Sequence, residues 1–311
     1  MLEEEQIRGL IFLGGVAALY ALAVLWFASR ALFLRILKKQ AGPGDHLARL
    51  VLKGIAVLGV VCAVYARFVE PYWLDVSYVQ LAWARWHGEP LRIVQLSDMH
   101  SDPVARLEER LPEVVRSKHP DLIVFTGDAI NSLAGLDNFK HCMTELARIA
   151  PTVAVRGNWD VWYWASADLF GGTGVQEVAN SSVAMPVRGN NVWIAGLSVG
   201  KEKALPELMK SAPSDSLRIL LHHYPDQLLE ASRLGVDLYL GGHTHGGQIA
   251  LPFYGAVVTL SRFGKRFEAG MYREGETLAY INRGIGMEGG LAPRMRFFAR
   301  PEVTVIDVLT E

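Results

Sequence analysis

The octet GGHTHGGQ, residues 241–248, sets His243 and His245 one residue apart among glycines. Glycine tolerates positive φ and lets another group approach the backbone closely. The apolar run VDLYL just before it reads as a buried strand, so both imidazoles stand where a strand opens into a loop. Histidine is the commonest metal ligand, and two at one strand end are placed to grip a common object. Other apolar runs finish in the same way. LRIVQLSD (91–98) ends on Asp98, with His100 two residues on, and DLIVFTGD (121–128) ends on Asp128. TVAVRGN (152–158) ends on Asn158 and leads to Asp160, and LLHHYPD carries His222, His223 and Asp226.

Charged side chains are rarely buried unpaired, so packing alone does not account for five such strand ends. In open α/β sheets the crevice beyond the carboxyl ends of the strands is where ligands bind. Imidazole and carboxylate donors without a thiolate suit Mn, Fe, Zn or Co rather than Ca. Their number exceeds the four of one tetrahedral site, which a carboxylate shared between two ions resolves. Two such ions clamp a phosphoryl oxygen and ionise water near neutral pH.

The elements that must position these residues follow from periodicity. Strands are expected at 91–98, 121–128 and 152–158, with helices at 104–118 and near 138–149 between them. Strand, helix, strand, helix, strand argues for a mixed α/β domain with parallel pairing at its centre. Further strands are expected at 192–197, 217–222, 236–241, 249–258, 278–283 and 303–309, and the thinning of helices there predicts a second, more antiparallel sheet.

Half of the 311 residues are apolar and the net charge is −1, which gives no basis for a nucleic-acid partner. The mean hydropathy of +0.18 is concentrated at the front. Residues 9–29 hold no charge over 21 positions, about the length needed to cross a hydrocarbon core. A second run, 54–66, has 13 uncharged residues and reaches spanning length if Lys53 and Arg67 snorkel. The linker-like QAGPGD (40–45) falls between the two. The first run is too long for the apolar region of a signal peptide, and no small-residue cleavage site follows it. The expected organisation is a membrane anchor over 1–70, of one or two transmembrane helices, and a catalytic domain over 75–311. Arg30, Arg35, Lys38, Lys39, Arg49 and Lys53 lie between the runs and favour the cytoplasmic side. Two spans place the domain outside, the arrangement the charges favour; one span with the second run at the interface keeps it inside. Cys62 lies in the second run and Cys142 alone in the globular part, so an intradomain disulfide is not expected.

In chain order the motifs are D-x-H, G-D-x-x-N, G-N-x-D, H-x-P-D and G-H-x-H-G-G-Q. Over about residues 90–311 this set resembles the calcineurin-like metallophosphoesterases, most closely their membrane-anchored bacterial branch. The resemblance implies a four-layer α/β/β/α sandwich with a dinuclear centre, here preceded by an N-terminal transmembrane region. By position it assigns Asp98, His100 and His245 to one metal and Asn158, His223 and His243 to the other, with Asp128 bridging. Asp98, Asp128 and Asn158 then carry the catalysis, while His222 packs or supports from behind. Mn is the expected metal, with Fe or Zn acceptable.

One position departs from the family pattern. Where most relatives carry histidine in G-N-H-D or G-N-H-E, this chain has Trp159. The family's histidine is thought to stabilise the transition state or protonate the leaving oxygen; indole offers one N–H donor and delivers no proton. A pyrophosphate bond relieves that need, because the departing phosphate monoester is a weak base with a second pKa near 6. The UDP-2,3-diacylglucosamine hydrolases of lipid A synthesis share the metal set, the membrane location and an acyl-bearing pyrophosphate substrate. The expected partners are therefore a lipid-linked phosphate and the inner membrane; alternatives are a broad phosphodiesterase or phosphatase of the envelope, or a non-catalytic scaffold. Trp159, Asp160, Trp162, Arg294 and Arg296 are the expected substrate contacts, the tryptophans as a wall for acyl chains and the arginines for phosphate. The nucleotide-lipid requires a cytoplasmic domain, against the topology the charges favour.

Overall fold

A computed structural model of the chain describes residues 43–84, 86–289 and 293–310, together with Leu25, Trp26, Ser29, Arg30 and Phe33. The first apolar run therefore lies outside the described residues except for Leu25, Trp26 and Ser29. The chain divides into two compact units, Met1–Phe68 and Val69–Glu311. In the first, the second apolar run is part of one continuous helix, α1 (Pro43–Phe68). That helix begins inside the stretch expected to be a linker, because proline fits the first helical position, where its missing N–H would be unpaired anyway. Residues Arg49–Tyr72 are long and apolar enough to cross a membrane, and no other helix among the described residues is.

The second unit is built on two six-stranded sheets. The first runs in the order β1 (Asp75–Ala82), β14 (Glu302–Leu309), β2 (Leu91–Leu96), β3 (Leu122–Phe125), β4 (Thr152–Ala154) and β5 (Gln176–Glu177). Strands β2 to β5 pair in parallel, and β14 meets β2 antiparallel. The second runs β12 (Gly270–Glu274), β13 (Thr277–Ile281), β9 (Leu238–Gly241), β8 (Leu217–His222), β7 (Asn190–Leu197) and β6 (Ser181–Val187). Its centre, β13-β9-β8-β7, is parallel and only the edge strands are antiparallel. The expectation of a mainly antiparallel second sheet thus holds at its edges alone.

Alternation of side chains along each strand builds the layers. In β3, Leu122 and Val124 face the other sheet, meeting Ile194, Ile219, Leu221 and Leu238 in the central core. Ile123 and Phe125 face outward, onto α2 (Leu111–Arg116) and α3 (Leu136–Ala147) through Leu111, Val115, Phe139 and Met143. A short α4 (Asn158–Tyr163) follows β4. On the far side α5 (Leu205–Met209) and α6 (Leu228–Arg233) cover Trp193, Leu220 and Tyr239. Layers run helix, sheet, sheet, helix, an α/β fold with mixed sheets.

Several expected boundaries shift for local reasons. The helix expected over 104–118 forms only over Leu111–Arg116, since Pro112 is tolerated only in a first turn. The strand expected over 249–258 becomes the hairpin β10 (Ala250–Leu251) and β11 (Gly255–Ala256), broken by Pro252 and by Phe253 at φ 64°.

Candidate metal centre

The parallel strands β2, β3 and β4 end side by side, and cross-links tie the loops beyond them. Asp98 N–H donates to Gly127 O at 2.8 Å and His100 N–H to Asp128 O at 3.0 Å. This packing demands glycine at two places: a Cβ on Gly157 would lie 2.1 Å from Asp128 Oδ1, and one on Gly127 2.4 Å from Gly157 N. From the second sheet, β8 runs into His223 and β9 into the loop of His243 and His245. Asp98, His100, Asp128, His243 and His245 all sit at positive φ, between 42° and 71°. Such backbone costs a non-glycine residue about 1–3 kcal/mol and persists where the surroundings over-determine it, typically at functional sites.

Two groups result. The ligand atoms of Asp98, His100 and His245 lie within 4.8 Å of one another, as do those of Asp128, His223 and His243, and all six residues are buried. Asp128 joins the groups: its Oδ2 is 3.2 Å from His223 Nε2 and 3.5 Å from His100 Nε2. Asn158 opens α4, its side-chain oxygen buried. Asn158 Oδ1 and the Nε2 atoms of His100 and His223 make no hydrogen bond of sound geometry. Buried polar atoms left so cost about 1–3 kcal/mol each, and a divalent cation in each group supplies the missing partner. The donor set therefore fits two transition-metal ions.

Hydrogen bonds set the free nitrogen of three rings. His100 Nδ1 is 3.0 Å from Asn131 Oδ1, and His223 Nδ1 is 2.7 Å from Thr126 O, which aims each Nε2 at Asp128. His243 uses Nε2 against Leu260 O at 3.1 Å, leaving Nδ1 for the site. Burial holds His243 down to about 3, and burial together with His100 and Arg296 holds His245 below its usual value. Both are kept neutral, the form that binds metal. Burial opposes charge on His223 as well, but Asp128 and Asp98 outweigh it and push that ring up to about 10. His222 turns away, Nδ1 lying 2.8 Å from Leu197 O.

Two of the expected substrate contacts, Asp160 and Arg296, are buried away from any substrate, while Arg294 and Trp162 are exposed in part. Asp160 is fully buried; both oxygens accept backbone N–H groups, from Gly157, Asp128 and Ala129, each at 2.9 Å. It is a splint for the ligand loops, closed to any substrate. Arg296 is also fully buried, its guanidinium donating to the carbonyls of Arg283, Gly284, Gly286 and Ala299 behind His245. Arg294 pairs with Asp102, and Trp162 is 55 % exposed. Trp159 does face the centre, its ring edge-on to His100 with centroids 5.3 Å apart. The rest of the aromatic run divides, Phe170 packing in the core against Phe125 and Phe139.

Three participants escaped the reading from sequence. Asn131 Nδ2 holds Met287 O at 3.1 Å, and Gln248 Oε1 accepts the N–H of Glu288 at 2.8 Å. Both residues are visible in G-D-x-x-N and G-G-Q, yet their role as clamps on the segment 286–289 needs the fold. Glu288 itself lies in no motif; its neighbour Gly289 packs beneath the Trp159 ring, where a Cβ would lie 3.4 Å from Trp159 Cη2.

A buried cradle of histidines and carboxylates at the strand ends of a two-sheet sandwich defines a metal-dependent hydrolase of phosphate esters. The profile described as "Calcineurin-like phosphoesterase" matches residues 91–247. YkuE, a metallophosphoesterase of Bacillus subtilis, is 34 % identical, covering 78 % of this chain and 87 % of its own. Phosphodiesterase YaeI of Escherichia coli is 29 % identical over 79 % of this chain and 92 % of its own. The UDP-2,3-diacylglucosamine pyrophosphatase LpxG of Chlamydia muridarum is 25 % identical over 84 % and 97 %. The chain belongs to the calcineurin-like phosphoesterase family.

Proposed function

We propose that the protein hydrolyses a phosphoanhydride or phosphodiester bond at a membrane, using two divalent ions, manganese foremost. The observation that carries this reading is the carboxylate of Asp128 set between two Asp/His groups. Asp98, His100 and His245 hold one ion, Asn158, His223 and His243 the other, and Asp128 both. Bound there, the ions polarise a phosphoryl oxygen and lower the pKa of water. The chain's own residues fix the donors, exclude solvent and leave the leaving group unassisted, since the indole of Trp159, which faces His100, is an N–H donor that does not act as an acid. A leaving group that departs as a weak base meets that constraint, and a phosphate monoester is one. The candidate substrate is a nucleotide-linked lipid such as UDP-2,3-diacylglucosamine, releasing UMP and a lipid monophosphate. The likeness to LpxG and the apolar α1 support it.

A second reading has its own support. If α1 spans with Arg49 and Lys53 inside, the domain over 75–311 faces outward and acts on a phosphodiester of the cell envelope, as the likeness to YaeI would suit. Membranes containing the protein, incubated with UDP-2,3-diacylglucosamine with and without Mn²⁺, release UMP only with metal under the first reading. Faster cleavage of unactivated alkyl monoesters than of nucleoside-diphosphate substrates overturns it.

A further inference from the structure

The ligand set uses only half of H-x-P-D: His223 joins the group of Asp128 and His243, while Asp226, three residues on, stands outside both groups. Its carboxylate serves another loop. Oδ1 accepts the Ser261 hydroxyl at 2.7 Å and the Arg262 backbone N–H at 3.1 Å, and Oδ2 shares that N–H at 3.3 Å. The Arg262 guanidinium comes within 3.6 Å of Oδ2, but its side chain is 68 % exposed against 12 % for Asp226, and an exposed ion pair contributes little. The clamp is therefore the hydroxyl and the backbone N–H. Just ahead of it stands Leu260 at φ 56°, a conformation that a non-glycine residue keeps only where its surroundings impose it. Held so, Leu260 turns its carbonyl to Nε2 of His243 at 3.1 Å. A histidine offers a metal the nitrogen that its other hydrogen bond leaves free. Tyr224 adds a second contact, its ring meeting that of His243 edge-on with centroids 4.3 Å apart. Pro225 follows, its ring locking φ on the way to Asp226. Residues 223–226 thus supply one histidine of this group and hold the other through two contacts.

We propose that Asp226 is a positioning residue for the ion of the Asp128, His223 and His243 group. By clamping residues 261–262 it fixes the Leu260 carbonyl, which fixes the nitrogen that His243 presents. This rests on the two-ion reading above and deepens it: one seat depends on a loop that carries no donor of the other. Loss of the clamp frees Leu260 to relax toward negative φ, its carbonyl leaves the ring, and His243 no longer has a preferred nitrogen. Asp98, His100 and His245 keep their places.

The test titrates the full chain, in detergent and stripped by chelator, with Mn²⁺. Elemental analysis counts bound ions, and the EPR spectrum separates an isolated Mn²⁺ from a coupled pair. The parent takes up two ions. Asp226→Ala keeps its affinity for one and binds the other about tenfold more weakly, the low end for groups that orient a ligand. An isolated-ion spectrum then persists where the parent already shows the pair. Asp226→Asn stays within about threefold of the parent, because an amide oxygen in the place of Oδ1 keeps both donors. Arg262→Ala does likewise, since its backbone N–H remains. Asp226→Ser, too short to reach residues 261 and 262, repeats the measurement should the alanine variant not accumulate. Parental affinity for both ions in the alanine or serine variant overturns the proposal. So do equal weakening of both ions, a fall in Asp226→Asn as large as in Asp226→Ala, or a matching fall in Arg262→Ala. A parent that binds fewer than two ions overturns the two-ion reading and this proposal with it; a parent with two and an unaffected alanine variant counts against this proposal alone.

Discussion

Replacing Asp160 by asparagine separates a splint from a substrate contact. Oδ2 accepts from Gly157 and Asp128, and Oδ1 from Ala129. An amide offers an oxygen on one side only. In its better orientation it keeps the pair at Oδ2 and turns two hydrogens toward the Ala129 N–H, leaving that donor and one of its own unpaired in a fully buried place. At about 1–3 kcal/mol for each unpaired donor the loss is about 2–6 kcal/mol. For a unit the size of Val69–Glu311, the low end corresponds to a fall of roughly 4–8 °C in melting midpoint. Asp128 and Asn158 flank the splint, so metal occupancy falls as well. Scanning fluorimetry of the solubilised chain reads the first effect and elemental analysis the second. A variant that melts within about 2 °C of the parent, keeps its metal and loses only kcat/KM would return Asp160 to the substrate and refute this account.

Asp128→Asn removes the carboxylate shared by both groups; because even a residue supporting a ligand is worth about 10–100-fold, diester hydrolysis falls by at least about 10²-fold, with the circular dichroism spectrum preserved. Gly157→Ala drives a methyl to 2.1 Å from Asp128 Oδ1; titration with Mn²⁺ shows weaker uptake, and unaltered affinity would contradict the packing described. Arg296→Met leaves four backbone carbonyls without their charged donor and costs at least about 3 kcal/mol, read as a lower denaturant midpoint.

Apolar runs with polar ends marked the strands β2, β3, β4, β8 and β9, because a strand buried on both faces shows as unbroken hydrophobicity and its ligands stand just past it. Edge strands carry weaker signals. β6 is exposed at Ser181, Ala184 and Pro186, and β12 is exposed at every second position, so neither shows a run long enough to notice. Residue type placed the donors that gather here but not the direction each faces. Asp160 and Arg296 look like ligand-seeking charges and are backbone splints, a distinction made by burial and hydrogen bonding that one-dimensional spacing does not carry.

Each Asp/His group draws on both halves of the sandwich: Asp98 and His100 from one sheet meet His245 from the other, and Asp128 meets His223 and His243. An ion seated in either group is thus a rivet through the joint between the sheets. Any opening of that joint must release it, so metal concentration sets a lower bound on how tightly the halves stay shut. A chain starved of metal would come apart along this seam first, presenting its central hydrophobic layer to proteases and neighbouring chains, and its lifetime would then track metal supply as closely as its turnover does.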